Sequence, residues 1–142
     1  MSSSVSKHAR RKRLAFIALT VLVVAALGAL VSFGRDRAAR RAAHNMANPV
    51  PTTPQVLSEA KKNYDTHCAS CHGENGDGKG NKAAGLWSKP TDFRDARLAR
   101  RTDGDLYWVT TKGNWPMPAF EKKFSDLERW QLVDYIRRYG KQ

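Results

Sequence analysis

The 142-residue sequence has only two cysteines, Cys68 and Cys71, which excludes the disulfide framework of a small secreted domain. No segment alternates apolar and polar residues over the length of a strand, and no segment is repeated. Acidic residues are scarce, at 13 against 25 lysines and arginines. The missing strand pattern predicts an all-α domain, and the shortage of acid leaves a net charge of +12 to be explained.

The positive charge is concentrated near the N-terminus. Residues 1–44 hold nine basic residues and one acidic residue, whereas residues 45–142 hold 16 and 12. Most of the excess therefore flanks one hydrophobic segment, where it would lie beside anionic lipid headgroups. Because no recognisable nucleic-acid-binding module accompanies this charge, we expect no nucleic-acid partner.

Residues 14–33 form an uncharged, apolar run of 20 residues. As a helix, this run would span about 30 Å, the hydrocarbon thickness of a bilayer. It is longer than the roughly 7–15-residue core of a cleaved signal peptide, so we expect an uncleaved anchor, with a signal peptide as the alternative. Five basic residues precede the run and four follow it. Because positive charge stays on the inner side of a membrane, this small difference slightly favours an N-terminus on the inside.

These features predict four segments. Residues 1–13 are a basic N-terminal segment, residues 14–33 a transmembrane helix or signal anchor, residues 34–54 a basic and then proline-rich linker, and residues 55–142 the folded domain. Three prolines near the end of the linker prevent it from continuing as a helix. We therefore expect the domain to be tethered by a short, semi-rigid stalk.

Apolar periodicity and capping signals predict three helices in the domain. The first opens with a proline behind a threonine, the second stops at a glycine, and the third opens with a serine and glutamate in capping-box spacing. Their predicted bounds are Pro54 to Cys68, Asp103 to Lys112, and Ser125 to Tyr139.

The segment Cys68-Ala69-Ser70-Cys71-His72 is the attachment motif of a c-type haem. Two thiols at this spacing can form thioether bonds with two vinyl groups on one porphyrin edge, and the histidine that follows can bind the iron. The sequence resembles the class I cytochromes c over nearly all of residues 54–142. The resemblance implies a small class I cytochrome c fold, with three main helices around one covalent haem, behind the transmembrane helix.

A close crossing of the first and last helices is implied by the same resemblance. In the family, a small residue on the first helix faces an aromatic residue on the last. The matching positions are Ala60 and Tyr64 on the first helix and Leu132, Tyr135 and Ile136 on the last. The family usually has glycine in place of Ala60, so we expect a slightly wider crossing.

The second axial ligand decides between electron transfer and ligand chemistry at the iron. Met117 is our candidate, 45 residues after His72 and between two prolines. It also meets the family's pattern of a methionine, a proline and then an aromatic residue. The other histidines and methionines lie in the N-terminal part of the chain or directly before Cys68, and we expect none of them to be the ligand.

The glycine-rich residues 73–80 predict a tight loop around the haem edge. Calcium binding there is the weaker alternative, because the ligand spacing of a calcium loop is absent. Family members often have a proline in this region whose carbonyl orients the haem histidine, and Asn81 holds that place here. We expect the carbonyl of Asn81 or Pro90 to orient His72.

The sequence therefore predicts a membrane-tethered, single-haem c-type cytochrome, not an enzyme, that carries single electrons between respiratory or dehydrogenase partners. Cys68 and Cys71 are its predicted thioether residues, and His72 and Met117 its predicted axial ligands to the haem iron. One alternative is a fixed haem c subunit of a membrane oxidoreductase complex. Another is a haem enzyme or gas sensor with an open iron site.

The expected partners are redox proteins with acidic docking surfaces, together with the lipid bilayer around residues 14–33. Lysines near the haem would steer such proteins to the domain. These lysines are Lys79, Lys82, Lys112, Lys122 and Lys123. Because haem is attached outside the cytoplasmic membrane in the family, the resemblance implies a single-pass protein of the inner membrane with its haem domain on the periplasmic or outer face.

Overall fold

The computed structural model describes residues 2–141, except for the side chains of residues 2–7, 9 and 141. Met1 and Gln142 lie outside the described residues. Met1 is the first residue of the predicted N-terminal segment, and Gln142 is the last residue of the predicted haem domain. Residues 2–141 contain α-helices and 3₁₀ turns but no β-strand, which confirms the all-α prediction. The helices are α1 (Ser2–His44), α2 (Pro54–His67), α3 (Ala69–His72), α4 (Ala96–Ala99), α5 (Asp103–Lys112) and α6 (Asp126–Arg137), and the 3₁₀ turns are Ala83–Gly85 and Tyr139–Lys141.

The chain divides into two compact units, Met1–Ala39 and Arg40–Gln142. The first consists of α1 without its last turn, and its large apolar side chains between Leu14 and Phe33 are exposed. Among the described residues, one helical segment, Arg10–His44, has the length and composition to cross a membrane, with a mean hydropathy of 2.8 in its apolar part. A signal sequence near an N-terminus has the same character.

The three main helices of the second unit begin at the predicted residues or within one residue of them. The Thr53 hydroxyl accepts a hydrogen bond from an amide in the first turn of α2. Ser125 and Glu128 form the predicted capping box of α6. α5 has a capping box of its own, made by Thr102 and Asp105, which satisfies amides at the start of the helix.

The predicted end of the last helix is wrong by two residues. α6 ends at Arg137, and Tyr139 begins a 3₁₀ turn instead of extending the helix. The Tyr139 ring packs on Gly76, and its hydroxyl donates to the Glu74 carbonyl at 2.8 Å. These contacts tie the end of the chain to the glycine-rich loop, and the local sequence pattern gave no indication of them.

The core lies where α2 crosses α6. Ala60 and Tyr64 have no exposed surface, and Leu132 and Val133 of α6 are buried beside them. The rings of Tyr64 and Tyr135 lie 5.2 Å apart, centroid to centroid. The crossing therefore accommodates the methyl group of Ala60 where the family usually has glycine.

α5 packs along α6 on another side of this core. The ring of Tyr107 stacks on that of Trp130 with centroids 4.2 Å apart. Between the two helices lies a buried guanidinium, that of Arg129. It donates to the carbonyls of Glu121 at 3.1 Å and Phe124 at 2.7 Å, which fixes the turn leading into α6.

Candidate haem site

The predicted attachment motif lies where one helix stops and a shorter one begins. The amide of Cys68 closes α2 by donating to the Tyr64 carbonyl at 2.8 Å. The chain then continues as the single turn α3 (Ala69–His72). The amides of Cys71 and His72 both donate to the Cys68 carbonyl, at 3.1 and 2.9 Å. This turn brings both thiols and the imidazole to the same cavity.

The imidazole of His72 is oriented by the backbone. Its Nδ1 lies 3.1 Å from the carbonyl oxygen of Thr91. A carbonyl can only accept, so Nδ1 carries the hydrogen and Nε2 is left to bind a metal. The ring also stacks on Phe93, with centroids 4.5 Å apart. Burial lowers the pKa of His72, although the Thr91 carbonyl opposes this, and the lowered pKa favours the neutral imidazole that a metal ligand requires.

The prediction that the carbonyl of Asn81 or Pro90 orients His72 is therefore wrong. The accepting carbonyl is that of Thr91, and neither Asn81 nor Pro90 makes this bond. The carbonyl of Pro90 faces the backbone of Gly78 instead, because a Cβ atom at Gly78 would lie only 2.6 Å from its oxygen. The carbonyl that faces the imidazole is therefore that of the residue after Pro90.

The two cysteines are unpaired and half-buried. Burial raises the pKa of the Cys68 thiol to about 12, with the neighbouring Cys71 adding to the effect. A thiol–disulfide oxidoreductase needs the opposite, a thiol whose pKa is lowered to give a nucleophilic thiolate. The environment of Cys68 thus argues against that chemistry.

The glycine-rich loop wraps the attachment motif through backbone hydrogen bonds. The amide of Gly78 donates to the His72 carbonyl at 2.8 Å, and that of Gly80 to the Cys71 carbonyl at 3.1 Å. The side chain of Asp77 accepts from the Lys79 amide within the loop at 3.0 Å. The loop therefore holds the backbone of the motif in place, and its contact with a haem edge stays a prediction.

Met117 lies in a short loop that is pinned at both ends to α5. Its amide and carbonyl bond to the carbonyl and amide of Asn114, at 2.9 and 3.1 Å. Gly113 ends α5 with a φ of +75°, and a Cβ atom there would lie 2.7 Å from the Met117 carbonyl oxygen. After the loop, the amide of Phe120 donates to the Thr110 carbonyl at 3.1 Å. The loop thus needs a glycine at its start and returns to the same helix at its end.

All four predicted site residues line one cavity. Its empty space, with the open mouth included, is about 690 Å³. The apolar part of its lining is Leu86, Pro90, Val109, Pro116, Pro118 and Phe120. Two thiols, a free imidazole nitrogen, a thioether sulfur and apolar walls are the groups that a covalently attached haem requires, so the residues present fit that group.

The other candidate ligands are less well placed. His44 and Met46 do not line the cavity, and Met46 is 45% exposed. His67 does line it, but it precedes Cys68 on the side of the attachment motif. Met1 lies outside the described residues. Met117 is therefore the candidate that both the sequence and the cavity favour.

The predicted lysines are exposed, yet none of the five lines this cavity within the described part of the chain. Lys112 is paired with Glu121 at 2.8 Å. Lys79 lines a second cleft beside the glycine-rich loop. The lysine that does line this cavity is Lys89, for which the sequence predicted no role.

Sequence reasoning missed Thr91 and Phe93, which hold the imidazole of His72. Their signal was weak: both lie in the irregular segment Lys89-Pro-Thr-Asp-Phe93, where a backbone acceptor cannot be recognised from residue type. It also missed two exposed tryptophans, Trp87 at 87% and Trp115 at 75%. The residues on either side of each tryptophan in the sequence line the cavity.

The domain is similar to known c-type cytochromes. A family model described as cytochrome c oxidase, cbb3-type, subunit III matches residues 55–136, more than half of the chain. None of the curated proteins matches the chain. The matched residues include the attachment motif, Met117 and nearly all of α6.

Two solved structures are also similar. One is a chain of the Kuenenia stuttgartiensis reducing HAO-like protein complex Kustc0457/Kustc0458, 31% identical with a TM-score of 0.56. That alignment covers 64% of this chain and 46% of the other, so this chain spans less than half the length of that relative. The other is the KustC0563 c-type cytochrome, which is 28% identical with a TM-score of 0.50. That alignment covers 56% of this chain and 95% of the other.

Proposed function

We propose that this chain, which belongs to the family described as cytochrome c oxidase, cbb3-type, subunit III, a family of class I-type c-type cytochrome domains, carries single electrons through one covalently bound haem. The family confirms the resemblance found in the sequence and implies haem c. The observation that carries the proposal is the cavity lined together by Cys68, Cys71, His72 and Met117.

Each of these residues would hold the haem in its own way. The thiols of Cys68 and Cys71 would form thioether bonds, and Nε2 of His72 and the sulfur of Met117 would bind the iron. When bound, haem c supplies reversible one-electron storage at its iron. The sequence has a single attachment motif, which supports one haem per chain.

The protein side chains favour a carrier over a haem enzyme or gas sensor. If His72 and Met117 both bound the iron, no iron position would be open to a substrate, and this pair of ligands would raise the reduction potential. Thr91 holds the imidazole in one tautomer through its carbonyl, which keeps Nε2 directed at its ligand position. The apolar residues of the lining would also act on the potential by lowering the polarity around the iron.

We place this carrier at the outer, periplasmic face of the inner membrane. c-type cytochromes are exported, and α1 contains one segment with the length and composition of a membrane span. If residues 14–33 are not cleaved, the tether keeps the domain at the membrane and raises its effective concentration near membrane partners.

The partner is a redox protein with an acidic surface around an apolar centre. The segment 45–142 is basic, and Lys89 is the charged residue that lines the cavity. The exposed rings of Trp87 and Trp115 would supply apolar contact near the mouth. Charge would then set the association rate, whereas the aromatic rings would contribute to affinity.

A second candidate function is a fixed subunit of a membrane oxidoreductase complex. The family's own description names a subunit, and one similar structure comes from a protein complex. Purification from native membranes with haem staining separates the two: partners that stay bound in stoichiometric amounts support the subunit, and a protein that purifies alone supports the shuttle.

The absorption spectrum of the full-length holoprotein tests the carrier proposal. We expect a methionine–ferric charge-transfer band that disappears in Met117→Ala and persists in Met46→Ala, the matched control with an exposed methionine outside the cavity. The reduced Met117→Ala protein should bind carbon monoxide. Ready binding of carbon monoxide by the unmodified reduced protein would show an open iron site and overturn the proposal.

A further inference from the structure

The segment that joins α1 to α2 is packed against the haem domain. Ala43, in the last turn of α1, is only 4% exposed. The Asn48 side chain donates to the Trp130 carbonyl on α6 at 3.1 Å. Four residues later, the Thr52 hydroxyl donates to the carboxylate of Asp134, also on α6, at 2.8 Å. The predicted linker therefore makes specific contacts with the domain that it precedes.

The closest approach is to the start of α5. A Cβ atom at Gly104 would overlap the carbonyl of Ala43 and lie 3.2 Å from that of Met46. Glycine is unfavourable inside a helix, so its presence in the first turn of α5 is explained by the backbone packed against it. Next to it, Nδ1 of His44 lies 3.0 Å from both carboxylate oxygens of Asp105.

The segment also has internal bonds that set its path. The amide of Met46 donates to the Ala43 carbonyl at 2.9 Å, which turns the chain at the end of α1. The amide of Val50 donates to the side chain of Asn48 at 3.0 Å, and Val50 packs against the hydrophobic core. Asn48 thus bonds to both the segment and α6, which is the arrangement expected of a docked segment.

We propose that residues 43–52 form a clasp, an intramolecular interface with α5 and α6 that opens and closes as a unit. Its side chains are held by the polar bonds of His44, Asn48 and Thr52 and by the apolar contact of Val50, and the side chain of His44 is 54% exposed. Regions with few buried apolar contacts open at a small fraction of the global free energy of unfolding. The clasp is therefore built to open without unfolding the haem domain.

Opening the clasp changes the length of free chain before the domain. When closed, residues 43–52 lie on α5 and α6 and add no free length. When open, this stretch becomes a proline-containing strand of about 30 Å at roughly 3.1 Å per residue. This consequence rests on the tethered carrier proposed above. A closed clasp gives the domain the short reach of a subunit with a fixed partner, and an open clasp gives it the longer reach of a shuttle.

Hydrogen exchange of the full-length holoprotein in detergent micelles, read by mass spectrometry, tests the clasp. In the unmodified protein, amides of residues 43–52 should be protected relative to a free chain. Gly104→Ala should raise their exchange by about tenfold or more, because the new Cβ would overlap the Ala43 carbonyl and force the segment away from α5, while amides of α6 keep their protection. The matched control is Gly85→Ala, because a Cβ atom there meets nothing within 4 Å.

The double variant Asn48→Ala and Thr52→Ala keeps the test decisive if Gly104→Ala fails to fold. It should raise exchange in residues 43–52 alone. Free-chain exchange of this segment in the unmodified protein would overturn the clasp, and so would either folded variant that exchanges like Gly85→Ala. A failure of the carrier proposal would instead appear in the absorption spectrum, which these exchange measurements do not use.

Discussion

The two sides of the haem cavity are built in different ways. On the motif side, Cys68, Cys71 and His72 lie in one helical turn, and the glycine-rich loop bonds to the carbonyls of that turn. On the methionine side, Met117 lies in a loop closed by two bonds to Asn114. Backbone bonds from the following loop thus hold the attachment side, whereas the turn that follows the Met117 loop is also held by a side chain of α6.

The main support of the methionine side comes from Arg129. Its guanidinium, on α6, is 5% exposed and donates to the carbonyls of Glu121 and Phe124, in the turn that follows the loop. It also donates to the Tyr107 hydroxyl on α5 at 3.2 Å. The comparison therefore predicts that damage to the motif side removes the haem, whereas damage to the methionine side changes its ligation and the stability of the domain.

The largest effect is expected from the double variant Cys68→Ala and Cys71→Ala. Without either thiol, no thioether bond can form, and covalent haem should be lost completely. Haem staining after denaturing electrophoresis measures this directly. His67→Ala, which leaves both thiols in place, should keep the stain, and haem that remained attached in the double variant would disprove the assignment.

Arg129→Met should be the next most damaging. It leaves buried carbonyls of the turn without their donor, at a cost of about 3 kcal/mol in the free energy of unfolding. Urea denaturation of the holoprotein measures the loss, and the methionine–ferric band should weaken while the haem stain is unchanged. Arg129→Lys should restore part of the stability. Equal stability of the methionine variant and the unmodified protein would rule out this role.

Gly113→Ala acts on the start of the methionine loop. Alanine at a φ of +75° is strained, and its Cβ would lie 2.7 Å from the Met117 carbonyl oxygen. We expect a loss of about 1–3 kcal/mol, the cost of holding a residue in a backbone region that is essentially restricted to glycine, together with a weaker methionine–ferric band. Gly85→Ala, in open space, should change neither quantity. A normal band in Gly113→Ala would show that the loop adapts.

The smallest effect is a pH dependence on the motif side. A hydrogen bond from the Arg94 side chain lowers the pKa of Asp92 to about 2, below its value of roughly 3.9 in an unfolded chain. The carboxylate therefore stabilises the fold above about pH 4, and this contribution is lost as the pH falls towards about 2. Because the pair is exposed, the effect is small. Between about pH 4 and pH 2, the urea midpoint of the unmodified protein should fall slightly more than that of Asp92→Asn. If the midpoints of the two proteins fell equally with pH, Asp92 would make no such contribution.

Local sequence was enough to locate the three main helices of the domain. Caps at Thr53 and Ser125 and the stop at Gly113 are decided by a few neighbouring residues, so the sequence located the three main helices. The end of α6 was misplaced because Tyr139 is held by Glu74, 65 residues away in sequence. Long-range contacts of this kind leave no periodicity to recognise.

The partner of His72 shows the same limit at the site. The residue types around it predicted a carbonyl from Asn81 or Pro90, but any residue offers a carbonyl, and only the path of the loop decides which one faces the imidazole. The packing of the predicted linker on α5 and α6 was equally hidden. The one sequence signal of this packing was Gly104, because glycine is unfavourable in a helix unless another segment packs closely against it.

The sequence by itself determined the kind of cofactor, the all-α fold and the candidate residues. The attachment motif, the methionine between prolines and the capping residues are each recognised from residue types a few positions apart. Residues this close in sequence also stay close in space when the chain folds. The tertiary structure decided which carbonyl faces His72, that Arg129 supports the methionine side, and that residues 43–52 lie on α5 and α6. These depend on how distant backbone segments approach one another, which residue types alone do not specify.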